Sequence, residues 1–207
     1  MSTASAFATL SPTTLADELG RAQVMDLGIR PLWAGAPRIA GPAYPVSCPA
    51  GDNLMLHAAI HRAPAGSVVV AVAGDCDYAM AGGNVCAIAQ RRGIAAFVVD
   101  GVIRDLAETR ERGFPVFARG VMPVPGAKDA VGVLNGAVTC GGVRVEPGDI
   151  VVADEEGVVV VPRQQAEQVL ARGRGREANE AAQTLDEWAD AHRRRVDEAL
   201  RRLGIDG

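Results

Sequence analysis

Arg104 and Asp105 follow directly on an apolar, strand-like run, IAAFVVDGVI, and twenty residues separate Arg104 from Gly83 in the segment AGGNVCAIAQRRG. An arginine presents a planar fork that matches a carboxylate, and an aspartate is a hard oxygen ligand of the kind Mg²⁺ or Mn²⁺ takes. The glycines open a predicted helix, whose first backbone amides, around Gly83, Asn84 and Val85, are available to an anion. In an α/β sheet such groups converge at the carboxyl ends of strands. The implied chemistry is the binding of a small carboxylic acid beside a divalent cation. The same residues also fit a helix-capping aspartate next to a salt-bridged arginine, and a Gly-Gly-Asn turn that is only a turn. Residue types alone leave both readings open.

Other reactive side chains form no comparable set. Lys128 is the only lysine and lies in the turn-like PVPGAKDA. A Schiff base needs a desolvated lysine, and this context reads as exposed, so carbon-carbon chemistry here points to a metal. Cys48, Cys76, Cys86 and Cys140 share no Cys-x-x-Cys spacing and read as buried thiols. His57 and His61 sit one helical turn apart, a spacing metal ligands use, but no third ligand is near in sequence, and they read as packing or surface. Asp154, Glu155 and Glu156 read as a β-turn between two strands.

The elements that must position these groups alternate. Residues 15–24 read as a short helix behind a Ser-Pro-Thr-Thr capping region, and RIAGPAYPVSC as a strand whose prolines suit an edge or bulge position. Two helix–strand units follow: residues 53–61 with 68–73, then the Gly-Gly-Asn helix with IAAFVVDG. LAETRERG reads as a helix and PVFARG as a strand. Residues 131–162 are β-rich, with Pro-Gly-Asp and Glu-Glu-Gly turns. Residues 163–203 read as charged helix with sparse apolar positions, a solvated or oligomer-contacting tail. The pattern predicts an α/β layered fold with a β-rich layer, as one domain over residues 1–165 and a helical extension over 166–207.

Composition narrows the function classes. The chain has 207 residues, 48% of them apolar, and a net charge of −4, with its arginines concentrated late in the sequence, which argues against nucleic acid as a partner. No stretch has the length and apolarity of a membrane span and the first ten residues lack a basic n-region, so the expectation is a soluble, cytoplasmic protein. No glycine-rich nucleotide motif follows a first strand, which sets a methyltransferase aside.

Four ordered blocks carry a resemblance: RPLWAG at residues 30–35, GDNLMLHAA at 51–59, VVDGVIRD at 98–105 and VEPGDIVVADEEGVVVVP at 145–162. Over about residues 14–180 the chain resembles the RraA-like family, which includes 4-hydroxy-4-methyl-2-oxoglutarate and 4-carboxy-4-hydroxy-2-oxoadipate aldolases that also decarboxylate oxaloacetate. The resemblance implies a swivelling β/β/α fold with the helical tail added, a homotrimer or homohexamer, and active sites between subunits. It implies a metal-dependent lyase acting on a 2-oxo acid through a pyruvate enolate. Asp105 would ligate Mg²⁺ or Mn²⁺, Arg104 would hold the pyruvyl oxygens, and Asn84 and Val85 would offer amides. A neighbouring subunit would contribute Asp17 and Glu180, with Glu177 the near alternative. The same family contains a non-catalytic regulator that inhibits an RNA-degrading endonuclease, which is the rival reading.

The chain departs from the family in two places. Family members carry an acid at the position of Gly83, and the aldolases have His-Glu where Ala16-Asp17 stands here. Asp75 or Asp77 could fill the first vacancy by folding back. Without that acid, aldol cleavage is expected to suffer more than decarboxylation, because only the aldol substrate has a hydroxyl to deprotonate.

Overall fold

A computed structural model describes residues 3–205; Met1 and Ser2 of the N-terminal stretch read above, and Asp206 and Gly207 of the helical extension, lie outside the described residues. The chain opens with α1 (Thr3–Ala6) and α2 (Pro12–Leu19), followed by β1 (Arg30–Pro31) and β2 (Ile39–Ser47). The alternating part is α3 (Leu54–Arg62), β3 (Val68–Val72), α4 (Gly83–Arg91), β4 (Ala96–Ile103), α5 (Leu106–Glu111) and β5 (Val116–Val121). The β-rich part holds β6 (Val133–Leu134), β7 (Val138–Cys140), β8 (Val143–Val145), β9 (Ile150–Asp154) and β10 (Gly157–Val161), and α6 (Ala166–Ala182) and α7 (Leu185–Arg202) close the chain. Among the described residues no helix is long and apolar enough to cross a membrane.

Strands β2, β3, β4 and β5 run parallel, with β1 antiparallel on the outer edge of β5. On the other side β2 continues antiparallel into β9 and β10, giving the order β1-β5-β4-β3-β2-β9-β10. The two-residue periodicity of each strand then sorts the side chains into layers. Val69, Ala71, Phe97 and Val99 face α3 and α4. Val68, Val70, Val98, Val151, Ala153, Val158 and Val160 meet in a second core between the two β layers. Ile150, Val152, Val159 and Val161 face a third core with Phe7, Leu15 and Val169 of the N-terminal segment and α6. Each fully buried valine contributes about 2 kcal/mol, so the run VVVV at β10 is needed on both faces of its strand. The swivelling β/β/α arrangement is thus present, with a further helical layer outside β9 and β10.

Three local readings change. The first helix starts at Pro12, not Leu15, because Ser11 caps it by accepting the Thr14 N–H at 3.0 Å, and it stops at Leu19 because Gly20 turns left-handed at φ +79°. The proline-containing strand is not an edge: β2 is central. Its even residues face β3, as Cys48 N–H donating to Val72 O at 2.9 Å shows. Pro45 therefore faces the other side, in the gap after β9 stops at Pro42 and before β6 begins at Val46. Pro42 points toward β3 one residue before that pairing starts. Neither missing N–H breaks a ladder bond. Finally, the cysteines are not all buried, since Cys76 is exposed.

Candidate active site

The end of β4 and the start of α4 are stitched together through backbone. Met80 N–H donates to Val102 O and Arg104 N–H to Ala81 O, both at 2.9 Å, which lays Gly82 and Gly83 alongside Arg104 and Asp105. Asp105 is one of two described non-glycine residues with positive φ, at +56°. Aspartate tolerates this region better than most residues, but it still costs about 1 kcal/mol.

That conformation separates the two halves of the residue. The Asp105 carbonyl begins α5, accepting from Thr109 N–H at 3.1 Å and the Thr109 hydroxyl at 3.0 Å. Its carboxylate does not cap α5. Instead Oδ2 reaches back to accept the Gly83 N–H at 3.0 Å, 3.5 Å from Arg104 Nε. Asp105 is therefore not an ordinary capping aspartate, and its carboxylate lies at the positive end of α4. The next two amides of α4, on Asn84 and Val85, have no partner among the described residues, and both residues line the same small cleft as Arg104 and Asp105, of about 80 Å³.

A side chain on either glycine would have to displace a carboxylate. A Cβ on Gly82 would collide with Asp105 Oδ2 and lie 3.0 Å from Arg104 Cγ. A Cβ on Gly83 would collide with Glu108 Oε2 and lie 3.1 Å from Glu108 Cδ. The nearest carboxylate to position 83 is thus that of Glu108, an exposed side chain that does not itself line the cleft. Asp75 does not fill that position: its oxygens accept N–H groups of Gly51, Asp77 and Tyr78, at 2.6, 2.9 and 3.2 Å, and hold a turn. Asp77 does not line the cleft. Glu108, three residues after Asp105 on α5, is not among the residues the sequence pattern singles out.

The opposite wall is polar. His57, Asn53 and Lys128 line it, three residues that sequence reasoning left as packing, helix start and exposed turn. Burial first, then the nearby Lys128 ammonium, push His57 down to about 4, so the imidazole is neutral. Asp52 holds the loop that carries Lys128, accepting N–H groups from Leu54 (2.8 Å), Asp129 (2.6 Å) and Ala130 (3.0 Å). Burial opposes its charge, but these bonds together outweigh it and keep the carboxyl below its usual value. His61 is exposed on the next turn, and no described cluster of three His, Cys, Asp or Glu could cage a metal.

The remaining expected acids are not in this cleft. Asp17 pairs with Arg176 at 2.6 Å, and Arg176 also holds Glu180 at 3.0 Å, so α2 and α6 gather the two acids into one surface cluster, with Glu177 on the same helix. Asp154 is bound by Arg38 at 2.8 Å and by the Glu156 N–H at 2.9 Å, a turn as expected.

Residues 12–160 match the family model described as RraA-like, Aldolase/RraA. A Halalkalibacterium halodurans protein named "Putative 4-hydroxy-4-methyl-2-oxoglutarate aldolase" is 38% identical over 177 residues, covering 85% of this chain and 84% of its own length. Two solved structures superpose with a TM-score of 0.77. One is an uncharacterized Pseudomonas syringae pv. tomato protein, 28% identical over 89% of this chain and 91% of its own. The other is Streptomyces coelicolor RraAS2, described as an unusual member of the RNase ES inhibitor RraA protein family, 29% identical over 86% of this chain and 93% of its own.

Proposed function

The chain belongs to the RraA-like family, and from that premise we propose that it is a divalent-metal-dependent lyase that cleaves 2-oxo diacids through a pyruvate enolate. The observation that carries this reading is the placement of Asp105: a left-handed aspartate whose carboxylate leaves its own helix unclaimed and turns into a cleft beside Arg104 and two unpartnered amides. A capping residue would satisfy its own helix instead.

The donor set fits Mg²⁺ or Mn²⁺. Asp105 offers a hard oxygen in the cleft, and Mg²⁺ is commonly held by one or two carboxylates, with water and substrate completing its shell. When bound there, such an ion supplies Lewis-acid stabilisation of negative charge on the substrate. Arg104 binds the 2-oxo acid oxygens and places positive charge where the enolate develops. The Asn84 and Val85 amides orient the carboxylate at the α4 N-terminus. Breaking the C3–C4 bond leaves its electron pair on the enolate. In the aldol direction a base removes the 4-hydroxyl proton, and in either reaction an acid returns a proton to C3. Glu108, beside Gly83, is this chain's candidate for holding water and moving those protons; if it does not serve, aldol cleavage is expected to suffer more than decarboxylation. The cluster of Asp17, Arg176 and Glu180 would face the cleft of a neighbouring copy in a homotrimer or homohexamer.

Pyruvate release from a panel of 2-oxo diacids, with and without Mg²⁺, tests the reading. Arg104→Ala is expected to lower the metal-stimulated rate by about 10²- to 10³-fold. Equal rates with and without metal, or an unaffected Arg104→Ala protein, would remove it. Recovery of a tight protein partner together with no metal-stimulated release would put the regulator in its place.

A further inference from the structure

Helix α7 is carried outside the body of the chain. Its predecessor α6 is anchored by buried Val169 and Gly173, but no described residue of α7 is buried. Both ends of α7 are nevertheless well made. The Thr184 hydroxyl accepts the Glu187 N–H at 3.3 Å, and the Glu187 carboxylate accepts the Thr184 N–H at 2.8 Å. At the other end Gly204 turns left-handed at φ +74°, its N–H donating to Arg201 O at 3.1 Å and the Ile205 N–H to Leu200 O at 3.0 Å, so the helix closes on a fixed apolar tip. A helix in a folded protein draws most of its stability from packing an apolar face, and α7 has no such packing within its own chain.

The face it leaves unpacked has a pattern. Leu185, Trp188, His192, Val196, Leu200 and Leu203 form one stripe along the helix, on the side away from Arg194. The stripe has the same spacing in both directions: Leu185 and Leu203, Trp188 and Leu200, and His192 and Val196 each lie equally far from residue 194. Its two ends differ in shape. Leu185 and Trp188, with Glu180, Gln183 and Thr184, line an open recess of about 450 Å³ at the α6–α7 corner. Leu203 and Ile205 instead stand out, 71% and 54% exposed. Recess and tip are about 27 Å apart along one rigid rod, so they cannot meet within a chain.

We infer that α7 pairs antiparallel with α7 of a second copy, about a two-fold axis level with Arg194, each copy laying Leu203 and Ile205 over the other's recess. A two-fold contact needs a self-complementary surface, and the stripe is one. In this register Trp188 meets the partner's Leu200 and His192 the partner's Val196. On one edge of the stripe Arg193 comes within about 3 Å, measured along the axis, of the partner's Asp197. The helix carries five arginines and five acids. Their balance suits a second copy and supplies no attraction to an anionic lipid surface, which a basic amphipathic helix would have. Nothing in this pairing uses the cleft, so it stands or falls apart from the lyase reading.

Sedimentation of the full chain tests the contact, and cross-linking tests its direction. Val196→Glu sets a carboxylate from each copy into the seam, so this variant is expected at half the mass of the unsubstituted protein, while Val196→Ile keeps the full mass. Unchanged thermal unfolding of the body shows that association alone is lost. In a Cys76→Ser background, which removes the exposed native thiol, Leu185→Cys and Leu203→Cys chains coexpressed under different tags should join through a disulfide on mild oxidation, and neither should dimerise through a disulfide by itself. Equal masses for Val196→Glu and the unsubstituted protein, a disulfide in either variant alone, or none in the coexpressed pair would overturn the inference. So would an unchanged mass together with Val196-dependent retention on phosphatidylserine vesicles, which would put α7 on a membrane surface.

Discussion

Gly82→Ala perturbs the Arg104–Asp105 pair without deleting any functional group. Gly82 has φ −146° and ψ −174°, an extended conformation that alanine adopts without strain, so any effect comes from the added methyl. That methyl would collide with Asp105 Oδ2, which is pinned by the Gly83 N–H at 3.0 Å, and would lie 3.1 Å from Arg104 Nε. The carboxylate must leave its amide or the whole turn must open. A hydrogen bond to a charged acceptor is worth about 1.5–3 kcal/mol, so the fold should lose about 2 kcal/mol, or about 4–8 °C in Tm for a chain of this length. A displacement of about 1 Å at reacting groups costs about 10²-fold in rate, and most of this loss should appear in kcat. Steady-state pyruvate release in Mg²⁺ buffer measures it, with Gly175→Ala as the control. Gly175 lies within α6, a Cβ there meets nothing within 4 Å, and the substitution should stabilise the helix by about 0.5–1 kcal/mol with no change in rate. If folded Gly82→Ala turned over like the unsubstituted protein, the position of Asp105 would be irrelevant to catalysis.

Two further outcomes follow from the same geometry. Glu108→Ala should reduce metal-stimulated release by about 10²-fold; Gly83→Asp alone should displace the exposed Glu108 carboxylate, and the double substitution should recover activity to within about tenfold of the original, while full activity in Glu108→Ala would show that the acid is dispensable. Because folding lowers His57 from its ordinary 6.5 to about 4, the unfolded chain binds the extra proton between those values, and stability should fall as pH drops through that window. Allowing for its partial exposure, the loss should be about 1–2 kcal/mol, and denaturant titrations from pH 7 to 4 should show a shallower decline in His57→Gln; identical slopes would refute the assignment.

How much of this was legible in the sequence depended on the range of the interaction. The alternating strands and helices followed from local apolar periodicity, and Arg104-Asp105 was visible as a pair because the strand before it was. The prolines of β2 misled because the cost of a proline depends on which neighbour its nitrogen faces, and β6 and β9 come from residues about a hundred positions later. Glu108 was hidden for a different reason. Its role arises from empty space above Gly83, and an absent side chain leaves no mark in a residue pattern except the glycine itself. Lys128 read correctly as exposed, but exposure on the lip of a cleft and exposure to bulk solvent look alike in sequence. Asn53 reads as a helix start and caps α3, while its side chain and that of Asp52 are engaged with loops some 75 residues away.

Strand β2 belongs to two sheets at once, and Ile39 pairs with Ala153 across more than a hundred residues. On a ribosome adding about 5–20 residues each second, one side of β2 waits roughly 5–20 s for β9 to be synthesised. Through that interval the nascent chain carries an open sheet margin, the template on which neighbouring chains pair wrongly. Pro45, whose nitrogen faces that side and carries no N–H, interrupts it from the moment it is made. The proline that looks like a defect in a central strand thus acts during biosynthesis, before the strand has become central.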